Sequence, residues 1–328
     1  MSQAIGMGAG VRGLYNAKTK TYFTTIFAIV VLLIIGQILS PGFASAKSIS
    51  GILGLSVALA EAGIGQTLII ISGRSGLDLS IDSMIPMGAL LGAMFAGVGT
   101  MGFMKALVVL VILGSLVGLI NGVVIRFIDV PPFVMTMGMA SVVQGFVIAY
   151  TNGQPSGSTP NLLLTLAIGD VWGPIRWIIL FGIIVTMIVE WVLRKSRYGS
   201  GLFLVGSNRV AARLSGLNIN FIVIVTYVVA GISSTLAGFL LLGVVGSGSI
   251  SMGDGYTLLT VAAVVIGGTQ LSGGKGSFFG TVLGSILMIV LSSVLLSINI
   301  SEGLRAVIQG LILLVIIVLY TREPALRQ

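Results

Sequence analysis

Long apolar runs, divided by short polar clusters, fill the chain from residue 22 to residue 320. A transmembrane helix needs about 20 mostly apolar residues. On that scale the pattern predicts ten spans: 22–40, 50–72, 82–98, 103–125, 131–150, 174–193, 221–245, 256–271, 277–298 and 304–320. The expected fold is an all-α polytopic membrane protein with one transmembrane domain, 22–320. A segment 1–21 precedes it and a tail 321–328 follows it. The largest hydrophilic stretches, 151–173 and 194–220, are too short to bury a core. A basic start, an apolar run and "ASA" at 44–46 suggest a cleavable signal, but "SPG" at 40–42 separates run from site. A retained first helix is expected.

Glycine spacing predicts how the helices pack. Gly114, Gly118 and Gly122 form a ridge on one predicted span, and Gly280 and Gly284 form another. In lipid, small residues at this spacing let helix backbones approach closely.

Charge orients the bundle. With the N-terminus inside, the cytoplasmic side receives thirteen cations: Arg12, Lys18, Lys20, Arg74, Arg126, Arg194, Lys195, Arg197, Arg209, Arg213, Lys275, Arg322 and Arg327. The outside receives four, Lys47, Lys105, Arg176 and Arg305. Both termini are therefore expected in the cytoplasm. The same bias accounts for the net charge of +8, which needs no nucleic acid to explain it. Charged residues make up 8% of the chain and hydrophobic ones 56%, too few charges to cover a soluble surface. There is no Cys and no His. Disulfides, thiolate or imidazole metal sites and the usual general base are thereby excluded. No catalytic residue, metal site or bound cofactor is expected in this chain.

"LSGGKGS" at 271–277 resembles two nucleotide-binding motifs. A phosphate loop, G-x-x-x-x-G-K-[S/T], needs Gly at 269 and Ser or Thr at 276. The chain has Thr269 and Gly276, and the segment is a short hairpin between two membrane spans. ATP hydrolysis is not expected here.

The most basic loop, 194–220, contains "SNRVAARLSG". Ser207 or Asn208 can cap a short helix, and Gly216 is its natural stop. Val210, Ala211 and Leu214 give it an apolar face, with Arg209 and Arg213 opposite. Basic loops of this kind also serve simply to fix topology.

Polar residues inside spans are costly. Glu61 lies in the second span, Asn121 and Gln144 in the fourth and fifth, and Asp78 and Ser80 at a glycine-interrupted break. Such discontinuous helices often line a transport path. The five residues suit a pathway for a neutral polyhydroxy solute. They equally suit polar contacts between helices, with Asp78 as a helix cap paired to Arg74. The polar loops 151–160 and 246–256 suit either docking of an external protein or simple connection.

"YGSGLFLVGSNRVAARLSGLNI" and "GDGYTLLTVAAVVIGGTQLSGGKGSFFGTVLGSIL" are similar to the permease subunit of ribose-type ATP-binding cassette importers. That family carries "GN-x-x-AARLSGI" and "G-x-GYEL-x-x-IAAVVLGGTSLSGGKG-x-x-x-GT". "GQTLIIISG…LDLS" at 65–80 resembles its "G-x-TLVI-x-x-GGIDLSVG". The likeness runs from about 50 to 320 and is strongest over 197–285. Two positions depart from it: Arg74-Ser75 is inserted before "GLDLS", and Asp82 stands where the family usually has Gly.

The resemblance implies a non-catalytic subunit in the bacterial inner membrane. Its implied partners are a separate ATPase that binds ATP and Mg, a periplasmic binding protein, and a second permease copy or paralogue. The implied coupling helix comprises Asn208, Arg209, Ala211, Ala212, Arg213, Leu214, Ser215 and Gly216. The cargo would be a ribose-like monosaccharide. A branched-chain amino acid, a nucleoside or a signalling furanose would use the same architecture. A stand-alone secondary transporter or channel would need no coupling helix.

Overall fold

The computed structural model describes residues 3–74, 76–97 and 99–321, with side chains from Thr19 onward except Leu313 and 316–321. The side chains of Arg12 and Lys18, together with Ser75, Arg322, Arg327 and the tail from 322, lie outside the described residues.

The order is α1 (Gln3–Leu39), α2 (Ala46–Ile71), α3 (Ile81–Ala96), α4 (Gly99–Phe127), α5 (Pro132–Thr151) and α6 (Asn161–Ile168). A small antiparallel hairpin follows, β1 (Asp170–Trp172) and β2 (Ile175–Arg176). Then come α7 (Trp177–Lys195), α8 (Arg197–Ser207), α9 (Arg209–Leu214), α10 (Ile219–Val245), a 3-10 turn (Ile250–Gly253), α11 (Tyr256–Ile266), α12 (Phe278–Ser297) and α13 (Glu302–Thr321). Among the described residues, seven helices are long and apolar enough to cross a membrane: α1, α2, α4, α5, α7, α10 and α12. The chain is an all-α polytopic membrane protein.

Each of the ten expected spans corresponds to a helix. The boundaries differ most at three. The first helix begins at Gln3, ahead of its membrane-spanning stretch Thr19–Leu39, and no proline interrupts it. The spans expected at 82–98 and 256–271 are short helices of 16 and 11 residues. Both join irregular backbone at one end. The stretch 151–173, expected outside, also holds α6 and most of the hairpin.

α10 is the central element, packed on α4, α2 and α3. The predicted glycine ridge makes this possible. Gly114 lies against the backbone of Gly231 and Ile232, Gly118 against Tyr227 and Val228, and Gly122 against Ile224. A Cβ at any of the three would meet α10 backbone. Gly280 and Gly284 seat α12 on Gly267 and Ala263 at and just beyond the end of α11 in the same way. The outside of the bundle is apolar, as a lipid-facing surface must be. On α7, Ile183, Ile184, Met187, Ile188 and Trp191 are all exposed.

Pro86 sits inside α3 and cannot bond the carbonyl of Asp82 four residues back. Gly253 of the 3-10 turn packs directly on that freed carbonyl. This contact fixes the start of α11 beside the start of α3.

Candidate functional site

α2 stops at Ile71, and α3 starts at Ile81. Between them the backbone re-enters the bundle, and the N–H groups of residues 78–80 bond side chains rather than helical carbonyls. At membrane depth such backbone must be satisfied by other groups. Gln66 of α2 accepts the Asp78 N–H at 3.2 Å, and Thr136 of α5 accepts the Leu79 N–H at 3.0 Å. Asp78 Oδ1 accepts the Ser80 N–H at 2.8 Å and the Ser80 hydroxyl at 2.5 Å. The Ser83 hydroxyl donates to Ser80 O at 2.8 Å. Gln66, Asp78, Ser80 and Thr136 are all buried, Asp78 to 3% exposure. One donor, Gln66 Nε2, has no hydrogen-bond partner among the described residues.

Asp82, the departure from the family pattern, joins this region. Its Oδ1 accepts the Thr257 N–H in the first turn of α11 at 2.6 Å. A carboxylate there satisfies an orphan donor and complements the helix dipole. The N-terminal turns of the two short helices thus meet at one aspartate, inside the bundle.

The expected alternative for Asp78, an ion pair with Arg74, is not what forms. Arg74 has a positive φ of 63°, and its Nη1 pairs with Asp129 Oδ1 at 2.6 Å. The Arg74 guanidinium holds the Asp129 carboxyl below the usual carboxylate range. The left-handed turn at Gly73 and Arg74 sends this side chain to the loop between α4 and α5, away from the break.

The other three polar positions are not gathered with Asp78 and Ser80. Asn121 is buried beside the glycine ridge of α4, and its Oδ1 has no partner among the described residues. Gln144 lines an open cleft with Pro155, Ser249, Ser251 and Asp254. That cleft draws on both polar loops, which are themselves tied where the Thr159 hydroxyl donates to Gly246 O at 2.8 Å. Glu61 lies in a separate apolar crevice between α2, α7 and α12.

On the face that charge bias assigns to the cytoplasm, three backbones converge. Gly274 N–H donates to Ile71 O at 2.9 Å, capping α2. Gly206, near the end of α8, packs against Ile71 O and Gly274 N, and Gly273 packs against Gly73. "LSGGKGS" is therefore the clamp between these helix ends. The Gly274 N–H is already spent on Ile71, and Lys275 is exposed. Glu190 of α7 holds the next segment. Its Oε2 accepts the N–H groups of Phe278 and Phe279 at 2.8 and 3.2 Å. Arg194 bonds Glu190 at 2.8 Å, Gly276 O at 3.1 Å, and lies over the Phe203 ring.

α9 leaves this clamp directly. Asn208 Oδ1 accepts the Ala211 N–H at 3.0 Å. Gly216 N–H bonds Arg213 O, and Leu217 N–H bonds Ala212 O, with Gly216 at φ 74°. This paired pattern is a Schellman stop. Cap and stop are as the sequence predicts. The expected apolar face is not buried: Val210 and Leu214 are 69% and 83% exposed and Ala211 is half-buried, while Ala212, outside that face, is buried and seats the helix. Arg213 is exposed. Arg209 turns inward to line a small pocket with Arg74, Arg126 and Tyr227. Burial and the charges of Arg74 and Arg126 draw Arg209 below the usual guanidinium value.

Gln66, Thr136 and Glu190 were not singled out from the sequence. Each is a polar residue inside an apolar run, which was the available signal. Their partners lie 12, 57 and 88 residues away.

Residues 48–317 match the family model described as branched-chain amino acid transport system / permease component. The chain is 31% identical over 317 residues to the ribose import permease protein RbsC of Escherichia coli K12, covering 93% of this chain and 97% of that one. It is 30% identical to the Bacillus subtilis 168 ribose import permease protein RbsC, covering 90% and 91%. It is also 30% identical to the galactose/methyl galactoside import permease protein MglC of Salmonella typhimurium LT2, covering 77% and 81%. No solved structure matches the chain.

Proposed function

The chain belongs to the branched-chain amino acid transport system permease family, and from that premise we propose that it is the membrane subunit of an ATP-binding cassette importer for a monosaccharide. The observation that carries this reading is its near-full-length similarity to ribose and galactose import permeases. The protein is a multi-pass component of the bacterial inner membrane. It conducts a solute, and its power comes from a separate ATPase that binds ATP and Mg. A periplasmic binding protein delivers the solute to the outer face, where the polar loops 151–160 and 246–256 meet. A second permease, identical or paralogous, completes the pore.

The solute path runs past Asp78 and Ser80, where the N-terminal turns of α3 and α11 converge. Asp78 is hydrogen-bonded to Ser80, so the break presents hydrogen-bonding groups already held in place. Such a lining suits a neutral polyhydroxy solute. Gln144 lies at the outer cleft on the same path. Asn121, at the ridge between α4 and α10, is a packing residue beside it.

The coupling helix is α9, with Asn208, Arg209, Ala211, Ala212, Arg213, Leu214, Ser215 and Gly216. Val210, Leu214 and Arg213 present the exposed surface for the ATPase. Movement of α9 reaches the membrane through Gly206, which touches both the end of α2 and the 273–274 clamp. Glycine backbones in direct contact leave no slack to absorb such a displacement.

The test is reconstitution. The tagged chain, purified from gently solubilised membranes, is expected to recover an ATP-binding cassette ATPase. Arg213→Glu with Leu214→Glu should abolish recovery while the chain still inserts. Proteoliposomes should import labelled ribose or galactose, but not leucine, only with ATP inside and binding protein outside. Full uptake by the chain alone, without ATP, refutes the importer reading.

A further inference from the structure

Four carboxylates lie within the helical bundle, and three are partnered. Asp78 bonds Ser80, Asp82 caps α11, and Glu190 holds Arg194 and the start of α12. Glu61 is the exception. It is 7% exposed, and among the described residues no hydrogen bond or ion pair reaches it. It lies fifteen residues into the 26-residue α2, roughly 22 Å along its axis at 1.5 Å per residue, and so deep in the membrane.

Glu61 lines a half-open crevice of about 230 Å³ between α2, α7 and α12. The walls are apolar: Val57, Met187, Phe278, Phe279, Val282 and Ile286 among others. Among the described residues, two further polar side chains line the space, Ser56 and Thr186. Their hydroxyl protons are committed, Ser56 to Ile52 O at 2.8 Å and Thr186 to Gly182 O at 2.6 Å. Each oxygen can still accept. The crevice therefore offers three acceptor groups and no free side-chain donor. It borders α7, whose exposed residues face lipid.

Burying a carboxylate among apolar groups is costly unless something pairs with it. A purely structural position would hold an apolar residue at less cost. A carboxyl in such a place either takes up a proton or is held ionised by a partner, and a partner that does so must bring donors, no acceptors and an apolar body. A primary ammonium has three donors and no acceptor. Aromatic rings beside the carboxyl also suit a cation. An alcohol supplies one donor, and a phosphate or carboxylate would be repelled. At about 30 Å³ per water, the volume equals seven or eight waters, enough for a small amine with a short apolar tail.

We infer that the crevice is a binding site for a lipophilic primary ammonium that enters from the bilayer, with Glu61, Ser56 and Thr186 accepting its three N–H groups. The site is separate from the solute path at Asp78 and does not depend on the importer reading.

The test uses the full chain in neutral lipid nanodiscs, read by thermal unfolding, with n-octylammonium, trimethyloctylammonium and octanol as probes. Octylammonium should raise the unfolding temperature saturably, at concentrations at least tenfold below those at which the other two act. Glu61→Gln, of the same shape, should lose that tenfold preference. Thr186→Val should weaken octylammonium several-fold and leave octanol unchanged, which keeps the inference testable if Glu61→Gln does not fold. Equal stabilisation by all three probes means bilayer partition only and overturns the site. Stabilisation that follows protein concentration and ignores the probe means a second copy fills the crevice, and likewise overturns it.

Discussion

Between α2 and α3 the broken backbone at 78–80 is held by side chains; between α11 and α12 the backbone at 267–277 is held mainly by other backbones. At the first break Gln66, Thr136 and Asp78 accept the N–H groups of residues 78–80. At the second, Gly274 N–H bonds Ile71 O, and glycines from three segments touch. Side-chain partners leave hydrogen-bonding groups inside the bundle, where a solute can use them. Glycine contacts leave no groups to use, but they join three elements with no room between them. One break suits recognition, and the other suits transmission of movement.

The largest expected effect comes from widening the second break. In Gly206→Ala, the new Cβ would overlap Ile71 O and Gly274 N. Overpacking of this kind costs about 1–3 kcal/mol. The variant should lower the unfolding temperature by several degrees and uncouple uptake from ATP. Gly138→Ala, whose Cβ would meet nothing within 4 Å on α5, is the control. It should stabilise by about 0.5–1 kcal/mol, because alanine restricts the unfolded chain. Equal behaviour of the two variants would remove the distinction between the breaks.

The first break is tested next. Asp78→Ala leaves a buried N–H and a hydroxyl without their acceptor, at a cost of about 1–3 kcal/mol. Uptake should fall at least tenfold. Asp78→Asn keeps an acceptor oxygen, so it should retain most stability while changing the solute's apparent KM. If Asn and Ala variants lose stability equally, geometry at 78–80 does not depend on that oxygen.

Glu190 should matter less, because Phe278 and Phe279 begin a helix whose first turn Ser277 also caps. Loss of this capping in Glu190→Ala is expected to cost about 1 kcal/mol, measured by thermal unfolding. Glu190→Gln should recover part of that, since an amide oxygen still accepts.

The smallest effect belongs to Arg74 and Asp129, both well exposed. Asp129 has a depressed folded-state value. Its contribution is present above the unfolded carboxyl value near 3.9 and is lost as pH falls through the lower folded value. Unfolding profiles of wild type and Asp129→Asn should differ slightly above about pH 4 and converge in stronger acid. Added salt should shrink the difference. A difference that grows on acidification contradicts the pairing.

Sequence alone determined the features set by local pattern. Hydropathy marked the ten helices of the bundle, because a span is a run of contiguous apolar residues. The Gly114–Gly118–Gly122 spacing gave the face that meets α10, because residues four apart share a helix face. Ser207 or Asn208 as cap and Gly216 as stop delimited α9 to within a residue, because caps and stops act within one turn. Only the tertiary structure decided which distant groups meet. It paired Arg74 with Asp129, gave Asp82 to the N–H of Thr257, and made the glycines of "LSGGKGS" a clamp on α2 and α8. It also separated Glu61 from Asp78, although both are acids of a broken apolar segment. Hydrogen-bond and close-packing partners depend on how helices dock, and docking joins residues tens or hundreds of positions apart.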